Sequence, residues 1–132
     1  DNRRVNGEIS QLCQRMSVPA NVVDNPAECD FLVPSVLQRG SLQVAVSTEG
    51  KSPAYAAQLR RELEAIITPA HGEWVDLLGE VKIYLQSQVP DISIRKKIIE
   101  SIVNSDILNL ILVGEKDKAK EKIRQCMSFW QV

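Results

Sequence analysis

Histidine is almost missing: His71 is the only one in 132 residues. A single imidazole excludes a histidine-rich metal centre within one chain, so metal chemistry would fall to carboxylates or to the nitrogens of a bound substrate. Cysteine is scarce and scattered, at Cys13, Cys29 and Cys126. No CxxC spacing points to zinc, and an odd count argues against a secreted disulfide framework. The three read as reduced thiols of a cytoplasmic protein, each a small buried hydrophobe. No apolar run approaches the roughly 18–20 residues that span a bilayer. The opening DNRRVNGEIS lacks the apolar core of a signal peptide. The net charge of −1 supplies no basic field. Neither a membrane nor a nucleic acid is therefore expected as a partner. The six glycines (7, 40, 50, 72, 79 and 114) never combine into GxGxxG or GxGxxA.

What is present is an ordinary globular mix, 44% apolar and 25% charged, able to bury a core. Val5, Ile9, Leu12 and Met16 recur at helical spacing and predict an amphipathic helix over 2–16, with Pro19 beyond its end. Asn21-Val22-Val23-Asp24 reads as a short strand closed by Asn25-Pro26. That would set Asp24 at a strand's carboxyl end, where open α/β sheets bind ligands. Pro34 to Gln38 suggests a helical turn capped by Gly40. Leu42 to Ser47 is valine-rich and predicts a second strand, followed by the polar turn Thr48 to Pro53. Ser52 suits an N-cap and Pro53 a first helical position, leading a helix with Ala56, Leu59, Leu63 and Ile67 on one face.

Beyond Pro69 the pattern is helical. Trp74, Leu77, Leu78, Val81 and Leu85 form one stripe. Pro90 breaks the chain, and Asp91 can cap a helix bearing Ile94, Ile98, Ile99 and Ile102. A short apolar helix starts at Ser105 or Asp106 and stops near Gly114, with a buried strand over 107–113 as the alternative. The last helix turns Ala119, Ile123, Cys126 and Met127 inward. Lys116, Lys118, Lys120 and Lys122 interleave with Glu115, Asp117 and Glu121, which describes a salt-bridged exposed helix. Trp74, Tyr84 and Trp130 fall on apolar stripes and are expected in core or interface. Two strands alone make a poor sheet, so strand partners from elsewhere are expected.

Three segments together resemble the siroheme synthase family: Asn21 to Pro26 with Cys29-Asp30-Phe31, then Pro34-Ser35, then Val44 to Pro53 (VAVSTEGKSP). The likeness is close over residues 1 to about 65 and loose beyond. It implies an α/β fold in three parts. Residues 1–33 would be the C-terminal remnant of a Rossmann-type NAD-binding domain, 34–68 a small dimerisation region, and 69–132 a helical C-terminal domain. The implied activity is NAD-dependent oxidation of precorrin-2 to sirohydrochlorin in siroheme biosynthesis, by a homodimer. Many members also insert Fe2+ as ferrochelatases, and that second step stays open here. The family's phosphate loop would lie upstream of residue 1, so the chain is expected to be a fragment inactive alone, with little affinity for NAD.

By the same resemblance Asp24 matches the carboxylate proposed as general base and metal-handling group. The chemistry suits it, since dehydrogenation and metal insertion both remove protons from the macrocycle. The plain alternative is that Asp24 caps the turn before Asn25-Pro26. Asp1 and Asn2 would stand near the cofactor. Ser47, Thr48, Gly50, Lys51 and Ser52 would form an anion-receptive loop before a helix N-terminus, suited to a substrate with eight carboxylates. Asn21 and Ser35 would line the same cleft, or else satisfy local backbone groups. Arg39 is a further candidate for carboxylate pairing. Arg60, Arg61 and His71 read more simply as helix-surface or first-turn residues. The rival from another class is a non-catalytic tetrapyrrole-binding or dimerisation module.

Overall fold

A computed structural model of the chain describes residues 2–22 and 25–129. Among them are one β-hairpin and six α-helices. Helix α1 (Arg3–Arg15) starts where Asn2 Oδ1 accepts the amides of Arg4 at 3.1 Å and Val5 at 3.4 Å. These are two of the donors that any helix start leaves unpaired. Its other end closes before Pro19. Ser17 adopts φ +56°, its N–H bonds Gln14 O, and Val18 N–H bonds Cys13 O at 2.9 Å. This is a Schellman closure with serine in the usual glycine position. The stripe of Val5, Ile9, Leu12 and Met16 lies open, with Ile9 54% and Met16 65% exposed, whereas Ser10 is buried.

The helical turn expected at 34–38 is instead strand β1 (Ser35–Arg39), paired with β2 (Leu42–Val46). The two-residue connection Gly40-Ser41 makes the pair an antiparallel hairpin. Gly40, at φ +55°, is the turn's left-handed residue rather than a helix cap. Burial alternates along both strands, and Leu37 is the deepest position at 2% exposure. The strand predicted at 21–24 is not formed by its described residues. Asn21 and Val22 run through an irregular loop, and Val23 and Asp24 lie outside the described residues.

The chain divides into two compact units, one of residues 1–37 and 44–64, the other of residues 38–43 and 65–132. The first holds α1, the loop up to β1, the outer parts of the hairpin, and α2 (Pro53–Ile66). Ser52 caps α2 as expected, its Oγ accepting the amide of Tyr55 at 3.3 Å. Leu37 and Ala56 are buried apolar residues of this unit.

The second unit holds α3 (Pro69–Gln88), α4 (Ile92–Val103), α5 (Ile107–Leu112) and α6 (Lys116–Phe129). Residues 107–112 are helical, which settles the alternative in favour of helix. Helix α5 packs on α3 and α6, and α4 packs on α3, α5 and α6. Trp74, Val81, Leu85, Ile98, Ile102, Ile107 and Ile123 meet in one apolar core, with Leu85, Ile98, Ile102 and Ile107 at 0% exposure. Burial of such side chains contributes about 1.5–3 kcal/mol each. Tyr84 is 46% exposed and stands outside this core. It precedes Leu85, so it sits about 100° round the helix from the buried stripe. Trp130 lies outside the described residues. Asp91 caps α4, accepting the amides of Ser93 at 2.7 Å and Ile94 at 3.3 Å. Gly114, at φ +82°, closes α5. Lys116 pairs with Glu73 at 2.6 Å, Lys118 with Glu115 at 2.8 Å, and Lys122 with Asp106. Among the described residues no helix is long and apolar enough to cross a membrane.

Candidate functional site

Within the first unit a half-open cavity of about 560 Å³ lies between the loop around residues 21–35 and the turn leading into α2. Ligand pockets run from roughly 300 to 1,000 Å³. Asn21, Ser35, Ser47, Thr48 and Gly50 all line it. Five of the candidate residues, from three separated stretches of sequence, therefore share one cavity. The rest of the wall is largely apolar, with Val22, Pro26, Leu32, Val46 and Ala57 among its residues. Among the described residues no charged side chain lines it.

The turn before α2 is built by its own hydroxyls. Glu49 and Gly50 both take left-handed backbone angles, at φ +54° and +75°. Thr48 O accepts the amide of Lys51 at 2.9 Å, and Thr48 Oγ1 accepts that of Ser52 at 3.0 Å. Ser47 Oγ accepts the amide of Glu49 at 3.2 Å. Each hydroxyl thus spends an oxygen lone pair on the loop and keeps its O–H to donate. A carboxylate-bearing ligand is the natural acceptor for such donors, next to a helix N-terminus that favours negative charge. Gly50 is also constrained by space, since a Cβ there would meet Pro26 Cγ at 3.2 Å.

Other candidates fall elsewhere. Lys51 pairs with Glu49 at 3.2 Å, both side chains being about 80% exposed. Neither Lys51 nor Ser52 lines the cavity, and Ser52 is committed to capping α2. Asp24 and Asp1 lie outside the described residues. Arg39 belongs to the second unit, where its Nε donates to Ile67 O at 3.0 Å. Arg60 pairs with Glu64 one turn along α2. His71 sits in the first turn of α3, where its Nδ1 accepts the amide of Thr68 at 3.2 Å. That acceptor role places the neutral ring's proton on Nε2.

Asn2, the described candidate for NAD, has its Oδ1 occupied by capping α1, and no glycine-rich loop occurs in the sequence. Among the described residues no cluster of three or more His, Cys, Asp or Glu is arranged to hold a metal ion.

Sequence reasoning missed the part played by Cys29. It is a free thiol, half-buried at the cavity wall, and it takes part in hydrogen bonds rather than merely filling space. Around it the loop is laced across its neck. Asp30 N–H bonds Ala20 O at 2.8 Å, Ala20 N–H bonds Asp30 Oδ2 at 2.9 Å, and Asn21 Nδ2 donates to Phe31 O at 2.9 Å. The available signal was the concentration of Asn, Asp and Cys on both sides of Asn25-Pro26, residue types that bond backbone locally.

Residues 39–66 match a family model described as "Sirohaem biosynthesis protein central". Residues 1–35 match one described as "Putative NAD(P)-binding". The siroheme synthase of Pseudomonas putida is 35% identical over 127 residues, 96% of this chain and 27% of that protein. That of Thioalkalivibrio sulfidiphilus is 33% identical over 127 residues, 96% of this chain and 26% of that protein. A solved structure of "SirC, precorrin-2 dehydrogenase" shares the fold with a TM-score of 0.59 at 20% identity, over 73% of this chain and 47% of that one. The chain spans about a quarter of the length of the curated relatives it matches. Over that segment, the chain is similar to siroheme synthases.

Proposed function

We propose that this chain holds the tetrapyrrole during NAD-dependent oxidation of precorrin-2 to sirohydrochlorin, in siroheme biosynthesis. One observation carries the reading. The segments that resemble the family, around Asn21 and over residues 47–50, converge on a single cavity of ligand size. The hydroxyls of Ser47 and Thr48 donate to the carboxylate arms of the ring, and the apolar wall takes its pyrrole faces. Oxidation removes a hydride and a proton from the macrocycle, and Asp24 is the acceptor of the proton. If iron is inserted afterwards, the same carboxylate receives the pyrrole protons, with Fe2+ as substrate. The hairpin's unpaired edges suit pairing with a second copy, so the active form is a homodimer in which residues 34–68 dimerise, between a Rossmann remnant over 1–33 and a helical domain over 69–132.

The competing reading is a non-catalytic tetrapyrrole-binding or dimerisation module. Two measurements separate them. Sirohydrochlorin titrated into the chain should give a saturable absorbance change, and Ser47→Ala with Thr48→Ala should weaken it. The chain joined to the glycine-loop segment of a siroheme synthase should form sirohydrochlorin from precorrin-2 and NAD. There Asp24→Ala should lose about 10²–10⁴ in rate, the usual contribution of a positioned base. Binding without turnover in the longer form leaves the module. Unchanged turnover in Asp24→Ala removes Asp24 from the mechanism.

A further inference from the structure

One wall of the cavity is irregular backbone, and a single sulfur holds part of it in shape. Val22 and Asn25 belong to no helix or strand, so no ladder of backbone bonds fixes them. Val22 N–H donates to Cys29 Sγ at 3.1 Å. The same sulfur stands 3.3 Å from Val22 O and 3.3 Å from Asn25 O, so its S–H reaches either carbonyl. Asn25 N–H also bonds Val22 O at 3.2 Å. The thiol's backbone is fixed in turn by the 3₁₀ turn Pro26–Glu28, where Cys29 N–H bonds Pro26 O at 3.2 Å. Val22, Pro26, Cys29 and Leu32 all line the cavity. Val22 is bonded to the sulfur directly, and Pro26 follows Asn25 in the chain. A Cβ on Gly50 would meet Pro26 Cγ at 3.2 Å and Leu32 Cδ1 at 3.7 Å. The wall so held therefore closes against the hydroxyl-bearing turn.

We propose that Cys29 is a positioning residue for tetrapyrrole binding, its thiol preorganising the apolar wall of the cavity by holding Val22 and Asn25. The role rests on the function proposed above, and it requires no chemistry at sulfur. A thiol suits the position because it accepts an amide and donates to a carbonyl while behaving otherwise as a small hydrophobe. A wall fixed before binding spares the ligand the cost of ordering it. Alanine at position 29 loses all three sulfur contacts. Serine keeps both hydrogen-bonding roles with a smaller atom. Valine fills the space and keeps neither role.

The test has two arms, both with sirohydrochlorin and the whole chain. The first asks whether the ring occupies this cavity. In a chain carrying Cys13→Ser and Cys126→Ser, Cys29 is the one thiol left for iodoacetamide. With sirohydrochlorin at about ten times its dissociation constant, alkylation should slow about tenfold, the ratio that mass action sets. The second arm measures affinity by absorbance titration, with thermal unfolding of each variant alongside. Cys29→Ala should weaken binding by about 5–10-fold, the scale of ordering one or two side chains anew on binding. Cys29→Ser should stay within about twofold of wild type, because its hydroxyl both accepts and donates. That rescue is the readout that a merely space-filling residue would not give. Unslowed alkylation beside saturable binding puts the ring elsewhere, and overturns the positioning role together with the cavity reading above. Slowed alkylation with wild-type affinity in Cys29→Ala overturns the positioning role alone and leaves that reading standing. Equal losses in alanine and serine overturn it as well, since the hydrogen bonds would not be the cause. If Cys29→Ala fails to fold, Cys29→Val takes its place. Weaker binding by valine than by serine then supports the proposal, and equal or tighter binding by valine overturns it.

Discussion

Two glycines in α3 should respond to alanine in opposite directions. Gly72 passes beneath the hairpin tip, and a Cβ built on it would lie 2.4 Å from Arg39 O and 2.7 Å from Arg39 C. Ordinary contacts begin near 3.4 Å, so about 1 Å of backbone must give way. Little can, because Arg39 is anchored through Nε to Ile67 O at 3.0 Å, and Ser41 Oγ donates to Asp76 Oδ1 at 2.6 Å. Overpacking of this kind costs about 1–3 kcal/mol, and backbone atoms put it at the upper end. Alanine's better helix propensity returns only about 0.5–1 kcal/mol. Gly72→Ala should therefore destabilise the second unit by roughly 1–2 kcal/mol. Gly79, two turns on, has nothing within 4 Å of its would-be Cβ. There the propensity gain stands alone, and Gly79→Ala should stabilise by about 0.5–1 kcal/mol. Urea unfolding followed by helical circular dichroism measures both. Shifts of the same sign in the two variants, or a stabilising Gly72→Ala, would refute the argument from close approach.

Gly50→Ala combines a left-handed backbone with the 3.2 Å approach to Pro26. The backbone alone costs about 1–2 kcal/mol, so sirohydrochlorin affinity and thermal stability should both fall, and an unchanged midpoint in a thermal scan would contradict the strain. Hydrogen bonds from the Ser93 hydroxyl, then the amides of Ser93 and Ile94, hold the Asp91 carboxyl below the usual carboxylate range. A carboxylate with a depressed folded pKa stabilises above its unfolded value and loses that contribution as pH falls through the folded one. The stability gap between wild type and Asp91→Asn should then be flat above about pH 5 and shrink below about pH 4, near the ordinary aspartate value. A gap that stays constant down to about pH 2 in acid titration would show that the cap is not charge-assisted.

Helices were legible wherever one face had to be buried. The stripes of α3, α4 and α6 predicted Leu85, Ile98, Ile102, Ala119 and Ile123 as inward, and all five are buried. Caps were legible too, because Ser52 and Asp91 act on neighbours within three residues. The hairpin was not. Pro34 before a short polar-apolar run looks like a helix start, and only pairing with residues 42–46 makes Val36 and Leu37 extended. Pairing is non-local, and a two-residue link beginning at Gly40 serves a hairpin as readily as a helix end. The loop at 21–22 failed for a related reason. Valine's preference for strands had no partner strand to act on, and hydrogen bonds involving side chains, to residues seven to ten positions away, took its place.

The site divides along the same line. Ser47, Thr48 and Gly50 could be found because a hydroxyl-rich turn before a capped helix is a local motif, and the fold needed only to bring Asn21 and Ser35 to it. Lys51 looked equally suitable by composition, yet a neighbouring carboxylate at Glu49 offers it a partner two residues away. Proximity along the chain therefore claims the cation before a ligand can, and the cavity is left to neutral donors. Neutral donors bind carboxylates without fixing a charge in the pocket. Cys29 was read as filler because burial accounts for most cysteines. What distinguishes it is that Val22 and Asn25 both bond to its sulfur, which no one-dimensional pattern displays. Local chemistry thus made the hydroxyl turn legible, and only tertiary geometry shows the contacts of this sulfur.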